Sequence, residues 1–138
     1  MLKNGGPTAV YLVDSSVWIR TFQKHRHLNI ESVVELETVV TCLPVIQEVL
    51  QGFRDETAFR IAREAMFSFP IVESPLGEEV FSEAVQLYRS AKRHGYTIRS
   101  SVDCVIAVCA LRNGLTVLHT DRDYTHLARI SHLDVKKV

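Results

Sequence analysis

The apolar residues of this chain fall into short continuous runs separated by longer stretches with a helical repeat. Three runs, residues 9–13, 39–43 and 115–118, are apolar almost throughout and rich in β-branched side chains. Such runs are typical of strands that are buried on both faces of a parallel sheet. A fourth and more polar run, residues 135–138, predicts an edge strand.

Between these strands the spacing of apolar residues predicts helices. Residues 77–95 are amphipathic, with acids in the first turn and bases in the last, the charge order that a helix dipole favours. Residues 101–113 are apolar on nearly all sides and stop at Gly114, so this helix is expected to be central. Further helices are predicted from Ser15 or Ser16 through Phe22, over 30–37, from Pro44 to Gly52, and over 124–130. Another helix is predicted after the cap Asp55, and its apolar face contains Phe59, Ala62, Met66 and Phe69. Residues 23–29 are predicted to form a loop and residues 70–72 a minor strand.

This alternation of strands and helices predicts an α/β fold. We expect three layers, α/β/α, around a central, mainly parallel sheet of four to five strands. Residues 1–8 contain Gly5-Gly6-Pro7 and are expected to form a flexible leader, which leaves 9–138 as one domain.

The composition fits a globular protein with a core, since 46% of the residues are apolar and 23% are charged. Sixteen acids balance sixteen bases, which excludes a broad basic surface but leaves room for a local basic patch. The odd number of cysteines, Cys42, Cys104 and Cys109, without a C-x-x-C pair, indicates small buried side chains in a reducing compartment. No signal peptide is recognised, and the longest uncharged apolar run, 105–111, is far shorter than the about 20 residues of a membrane span. We therefore expect a soluble, cytoplasmic protein.

Acidic residues follow two of the predicted strands. Asp14 and Asp121 come directly after the first and third strands, and the carboxyl ends of parallel strands meet at one edge of the sheet. Glu48 lies one turn into the helix after the second strand, whose start is at the same edge. Asp103 lies in the first turn of a helix that precedes the third strand, and strand order alone leaves its position open.

Each acid also has a purely structural explanation. Asp14 and Asp103 are placed where a residue caps a helix or interacts with its dipole, Glu48 could be a solvated helix residue, and Asp121 could belong to a turn. Asp103, however, adjoins a nearly all-apolar helix, where an unpaired carboxylate is costly. Several carboxylates packed together repel one another unless a cation lies between them. Oxygen ligands suit Mg²⁺ or Mn²⁺, which can activate water and neutralise charge on a phosphodiester.

Four segments carry a resemblance to a known family. Val13-Asp14-Ser15-Ser16-Val17-Trp18-Ile19 resembles the opening motif of PIN-domain nucleases, and Pro44-x-x-x-Glu48-Val49-x-x-Gly52 resembles their second acidic motif. Asp103-Cys104-Val105-Ile106-Ala107 is similar to the third, and His119-Thr120-Asp121-Arg122-Asp123-Tyr124 to the fourth. The order, spacing and length resemble the VapC-like ribonuclease toxins of bacterial and archaeal toxin–antitoxin pairs, from about Val10 to the end of the chain.

The resemblance implies a PIN-like fold and Mg²⁺- or Mn²⁺-dependent endonucleolytic cleavage of RNA that leaves a 5′-phosphate. It also places Asp103 beside the acidic pocket. It implies a homodimer that is inhibited by a small antitoxin, whose C-terminal segment lies over that pocket. The residues that it implies are the acidic quartet of catalytic and metal-binding residues Asp14, Glu48, Asp103 and Asp121, the accessory acid Asp123, and the supporting hydroxyls of Ser15 and Thr120.

Two departures from the family pattern affect the site. Tyr124 stands where Phe is commoner, an exchange that we expect to have little effect. Ser100-Ser101 stands before Asp103 where many relatives carry Leu-Pro or similar, which leaves the shape of the pocket rim open.

Several other side chains near the motifs are candidates for RNA contacts. Arg20, Lys24, Arg99 and Arg122 could hold RNA phosphates, and position favours Arg99 and Arg122. His25 and His27 are expected on a surface loop and His119 in the core. Trp18 and Phe22 could stack on bases, but their helical spacing favours the core or a dimer interface.

Three other functions compete with a toxin ribonuclease. A non-toxin PIN nuclease in RNA processing has the same residues. A catalytically inactive PIN binding module would have no need for all four acids. A phosphatase with Asp14 as its nucleophile would need a second aspartate two residues later, where Ser16 stands.

Overall fold

A computed structural model describes residues 9–23 and 28–138, which form six α-helices and four strands. The predicted leader and the side chains of Lys24, His25 and His27 lie outside the described residues. In chain order the elements are β1 (Tyr11–Val13), α1 (Ser15–Phe22), β2 (Val39–Val40), α2 (Leu43–Leu50), α3 (Glu56–Phe67), α4 (Glu78–Arg93), α5 (Ser101–Asn113), β3 (Thr116–His119), α6 (Arg122–Arg129) and β4 (Asp134–Lys137).

The four strands form one sheet in the order β2-β1-β3-β4, and every neighbouring pair is parallel. This arrangement, flanked by helices, confirms the predicted α/β fold, and β4 is the predicted edge strand. The two central strands, β1 and β3, are hydrogen-bonded through their whole length, and the Asp14 N–H extends the ladder to Leu118 O at 2.9 Å. The ends of these two strands therefore deliver Asp14 and Asp121 to the same edge.

Most of the predicted helices are confirmed. Helix α5 has the predicted bounds and ends at Gly114, whose φ of 63° is the left-handed conformation that glycine adopts without strain. Asp55 caps α3 by accepting a hydrogen bond from Ala58 N at 2.8 Å. The predicted buried face of α3 is narrower than expected, because Ala62 and Met66 are buried while Phe59 and Phe69 are only partly so.

Three local predictions are wrong. Residues 30–37 form two short 3₁₀ turns, Ile30–Ser32 and Leu36–Thr38, and not one α-helix. The cap of α1 is Asp14 and neither of the serines that follow it. Strand β2 is limited to Val39–Val40, because the helix begins at Leu43, although Thr41 still bridges to Ile71.

The core contains buried apolar side chains from β1, β2 and β3 and from all six α-helices described above. All three cysteines are buried in it, as predicted, and so are Trp18 and His119. Trp18 packs on Phe69 with ring centroids 5.3 Å apart, which confirms a packing role. Among the helices that the structure describes, none combines the length and apolar character needed to cross a bilayer.

Candidate metal centre

Asp14 is held at the end of β1 by hydrogen bonds to both carboxylate oxygens. Its Oδ2 accepts from Ser16 N at 3.0 Å, which caps α1, and from Ser16 Oγ at 2.5 Å. Its Oδ1 accepts from the hydroxyl of Tyr124 at 2.7 Å. Asp14 can therefore cap α1 and still belong to the acidic site, since its side chain is buried and fixed where the two central strands end.

Glu48 reaches the same place from the second turn of α2. Ser15 Oγ donates a hydrogen bond to its Oε1 at 2.8 Å, which joins the start of α1 to α2. Burial raises the pKa of the Glu48 carboxyl, the Ser15 hydrogen bond opposes this, and the nearby charge of Asp14 adds to it. The Ser15 hydroxyl thus contacts one of the predicted acids, and its supporting role stays a prediction.

Asp103 places a buried carboxyl group in the first turn of α5. Its side chain is buried, and its Oδ2 has no hydrogen-bond partner among the described residues. Burial, together with the charges of Asp14, Asp121 and other acids, raises the pKa of Asp103 to about 7. Ser100, and not Asp103, occupies the cap position of α5, so Asp103 is not a cap, but it lies in the first turn, where it can still interact with the helix dipole.

The position of Asp103 follows from the direction of α5. A helix that leads into a parallel strand starts at the carboxyl edge of the sheet and runs back to the amino edge. Helix α5 ends at Asn113, and β3 begins at Thr116 after a short turn. The first turn of α5 therefore lies beside Asp14 and Asp121, which strand order alone had left open.

Asp121 and Asp123 complete the acidic cluster, and both form ion pairs with the side chain of Arg99. Arg99 Nη2 donates to Asp121 Oδ1 at 2.7 Å, and Arg99 Nε and N both donate to Asp123 Oδ2, at 3.3 and 3.0 Å. Asp121 also caps α6 by accepting from Asp123 N at 3.0 Å. Asp123 is almost fully buried, whereas the Asp121 side chain is 30% exposed. Arg99 thus orders two acids and leaves one of them open to solvent.

These contacts test whether the residues fit a metal ion. One carboxylate oxygen each from Asp103, Asp121 and Asp123 lies within 4.8 Å of the others. The unpaired, buried Oδ2 of Asp103 is the observation that favours a cation, since a buried charge without a partner is costly. A donor set made only of oxygens suits Mg²⁺ or Mn²⁺. The site therefore fits a hard divalent cation.

The sequence interpretation missed two residues of the site. Tyr124 is buried, and its hydroxyl donates to Asp14 and lies 3.4 Å from Asp103 Oδ1, so it spans two acids. The expectation that Tyr in place of Phe has little effect is therefore wrong at the level of contacts. Ser16 Oγ accepts from Thr120 N at 3.3 Å while it donates to Asp14, and so ties the two strand ends together. A polar hydroxyl in place of an apolar Phe was the available signal for Tyr124.

Most of the remaining predicted residues line a cleft beside the acids, but Arg20 does not. Thr120, Asp121 and Arg122 line an open cleft of about 450 Å³ with Ser16, Arg99 and Lys137. Thr120 takes part in the acid network through its backbone N–H. Arg20 lies in the last turn of α1, at the end of the helix away from Asp14. The predicted RNA contacts of Arg99 and Arg122 thus have a cleft beside the acids, and that of Arg20 has none there.

Comparison with known proteins identifies the family of this chain. A family model described as a PIN domain matches residues 11–130. The chain belongs to the PIN-domain family. This PIN domain is 30% identical over 127 residues to a protein named VapC ribonuclease Mb1587 from Mycobacterium bovis, an alignment that covers 88% of this chain and 94% of the relative. A protein from Mycobacterium tuberculosis named Ribonuclease VapC11 matches with the same identity and coverage.

Solved structures share the fold. VapBC-5 from Mycobacterium tuberculosis, described as a member of a family of toxin–antitoxin systems, superposes with a TM-score of 0.71 at 20% identity, covering 96% of this chain and all of the other. FitAcB from Neisseria gonorrhoeae gives a TM-score of 0.67 at 19% identity, covering 91% of this chain and 96% of that one. At these identities the likeness establishes the fold of the PIN domain.

Proposed function

We propose that this PIN domain is a metal-dependent endoribonuclease and the toxin of a toxin–antitoxin pair. The observation that carries the proposal is the buried, unpaired carboxylate oxygen of Asp103 at the meeting point of the other acids. The names of the two relatives, both ribonucleases, support RNA as the substrate.

In this proposal Asp14, Glu48, Asp103 and Asp121 hold Mg²⁺ or Mn²⁺. The bound ion would supply an activated water and neutralise charge that develops on the scissile phosphodiester. Tyr124 and Ser16 hold the Asp14 carboxylate in one orientation, and Ser15 holds Glu48 in the same way. These neutral donors fix Asp14 and Glu48 without adding a positive charge, whereas Asp121 is paired with the Arg99 guanidinium at 2.7 Å.

Asp123 and Arg99 act beside the quartet. Both Arg99 contacts end on Oδ2 of Asp123, so this acid positions the arginine, while its other carboxylate oxygen stays available to the cluster with Asp103 and Asp121. The Arg99 side chain is 58% exposed, and its guanidinium has a further N–H group that can contact an RNA phosphate while Nε stays bound to Asp123. Arg122 lines the same cleft and is the second phosphate ligand of the proposal.

The proposed partners follow from the relatives. The structural neighbours include VapBC-5, which is described as a member of a family of toxin–antitoxin systems, and this supports a small cognate antitoxin for this chain. We expect that antitoxin to cover the acidic pocket from the exposed side of Asp121, and the toxin to be a homodimer. Because its RNA substrate is made in the cytoplasm, we expect the protein to act there.

The proposal is tested by incubating the purified protein with total cellular RNA and Mn²⁺ or Mg²⁺. We expect discrete cleavage products that disappear in EDTA, and a rate at least about 100-fold lower in Asp14→Asn. Asp134→Asn, which neutralises an exposed aspartate of β4, is the matched control and should cleave normally. Circular dichroism checks that Asp14→Asn keeps its fold despite the altered cap. RNA left intact by the unaltered protein with either metal would refute the nuclease proposal.

A separate experiment distinguishes a toxin from a nuclease in RNA processing. Induced expression should arrest the growth of a bacterial host, and Asp14→Asn should not. Growth that continues while the purified protein cleaves RNA would favour the processing enzyme over the toxin.

A further inference from the structure

We propose that Lys137, at the end of β4, binds a backbone phosphate of the RNA strand and lines the substrate cleft together with Arg122 of α6. The inference rests on the proposed RNA-cleaving function and adds a substrate-binding residue on the edge strand. It was not apparent from the sequence, because residues 135–138 indicated only a structural edge strand.

The cleft of about 450 Å³ is lined by Asp121 and by three basic residues, Arg99, Arg122 and Lys137. Arg99 comes from the segment before α5, Arg122 from the start of α6, and Lys137 from the end of β4. Arg99 is paired with Asp121 and Asp123, whereas Arg122 and Lys137 form no ion pair within 4 Å of an acid in the described part of the chain. Two cations thus face the cleft without an acidic partner.

The sheet fixes the position of Lys137. It pairs with His119 in the parallel ladder, and the next residue, Val138, donates its N–H to His119 O at 2.9 Å. Its Cα is therefore held by hydrogen bonds on the side of β3, and only its flexible stem needs to be ordered when it binds a ligand. Because the backbone of Lys137 is already ordered, binding a ligand costs only the conformational entropy of its side chain.

Alternation along β4 separates Lys137 from its neighbour. Successive side chains of a strand point to opposite faces, so Lys136 and Lys137 lie on different faces of the sheet. The Lys136 ammonium lies 5.8 Å from the ring centroid of Tyr11, and Lys136 is not among the residues that line the cleft. Lys137 is on the face covered by α6, where His119 packs against Tyr124 with ring centroids 5.3 Å apart. Two adjacent lysines of equal charge therefore have unequal access to the cleft.

The chemistry of the cleft favours a phosphate of a polyanionic strand. An acidic centre repels RNA, and cations beside it offset that repulsion for the phosphates that flank the scissile bond. A lysine ammonium is a compact point charge that binds phosphate without reading the base. We therefore expect Lys137 to contribute affinity that is independent of RNA sequence.

The experiment compares Lys137→Gln with the matched variant Lys136→Gln and the charge-preserving Lys137→Arg. Binding of a short fluorescent single-stranded RNA of random sequence is measured by anisotropy in EDTA over a series of salt concentrations. We expect Lys137→Gln to bind about threefold more weakly and to lower the slope of log K against log salt by about 0.7. Lys136→Gln and Lys137→Arg should both match the unaltered protein. In Mn²⁺-dependent cleavage, Lys137→Gln should raise KM and leave kcat unchanged.

The outcomes separate this inference from the proposed function. Equal affinity and salt slope for Lys137→Gln and Lys136→Gln overturn the inference, even if the protein cleaves RNA. A selective loss in Lys137→Gln supports it, even if no cleavage is detected and the nuclease proposal fails. If the unaltered protein binds no RNA at low salt, the inference is wrong. A fall in kcat with unchanged KM would also overturn it, because that pattern indicates a disturbed acidic centre.

Discussion

Neutralising Asp103 should make the metal-free protein more stable while it removes the activity. In Asp103→Asn the side chain keeps its shape, but the buried position no longer has to hold a charge beside Asp14 and Asp121. The new amide can also donate hydrogen bonds to the neighbouring carboxylates. Above pH 7 the unaltered protein, by contrast, must hold an ionised Asp103 carboxyl whose Oδ2 has no hydrogen-bond partner among the described residues.

The size of the effect follows from proton linkage. The pKa of Asp103 rises from its ordinary 3.8 to about 7 in the folded protein, mainly because of burial. Between these two values the folded state binds more protons than the unfolded state, so the free energy of unfolding falls as the pH rises. The slope is about 1.4 kcal/mol per pH unit, so raising the pH from 5 to 8 lowers the contribution of Asp103 to the free energy of unfolding by about 2–3 kcal/mol. The loss continues as the pH rises through the folded-state pKa of about 7, and the curve flattens about one pH unit above it.

Urea denaturation in EDTA at pH 5 and pH 8 measures this difference. Asp103→Asn should gain about 2–3 kcal/mol relative to the unaltered protein between the two pH values, and the exposed control Asp134→Asn should gain almost nothing. Added Mn²⁺ should then stabilise the unaltered protein at pH 8 much more than Asp103→Asn, since only the folded site binds the ion. Parallel pH dependence of Asp103→Asn and the unaltered protein would refute the electrostatic explanation.

Three further substitutions test individual contacts. Tyr124→Phe removes the hydroxyl that donates to Asp14 and should lower the free energy of unfolding by about 1.5–3 kcal/mol; unchanged urea denaturation would mean that the bond contributes nothing. Ser15→Ala removes the donor that lowers the pKa of Glu48, so the acidic limb of the pH–rate profile should move to higher pH, and an unmoved limb would contradict this role. Gly114→Ala should cost about 1 kcal/mol in thermal unfolding because of the positive φ alone, since no described atom lies within 4 Å of the added Cβ; a neutral result would contradict that cause.

The sequence alone determined the fold class and the edge of the sheet that carries the acids. Apolar runs of strand length, alternating with amphipathic helices, are sufficient to indicate a parallel sheet, because each strand must be covered on both faces. Asp14 and Asp121 were predicted at one edge because parallel strands end together. Asp103 could have been placed by the same logic, since a helix that leads into a parallel strand must begin at the carboxyl edge.

Only the tertiary structure decided which side chains contact the acids. The hydroxyl of Tyr124 reaches Asp14 across 110 positions of the chain, and Arg99 reaches Asp121 across 22. Such contacts depend on how α6 and the segment before α5 pack on the sheet, and local spacing carries no record of that packing. The different surroundings of Lys136 and Lys137 likewise follow from the register of β4. Periodicity and strand order thus determined where the acidic centre lies, and packing decided how its acids are held and which cations lie beside it.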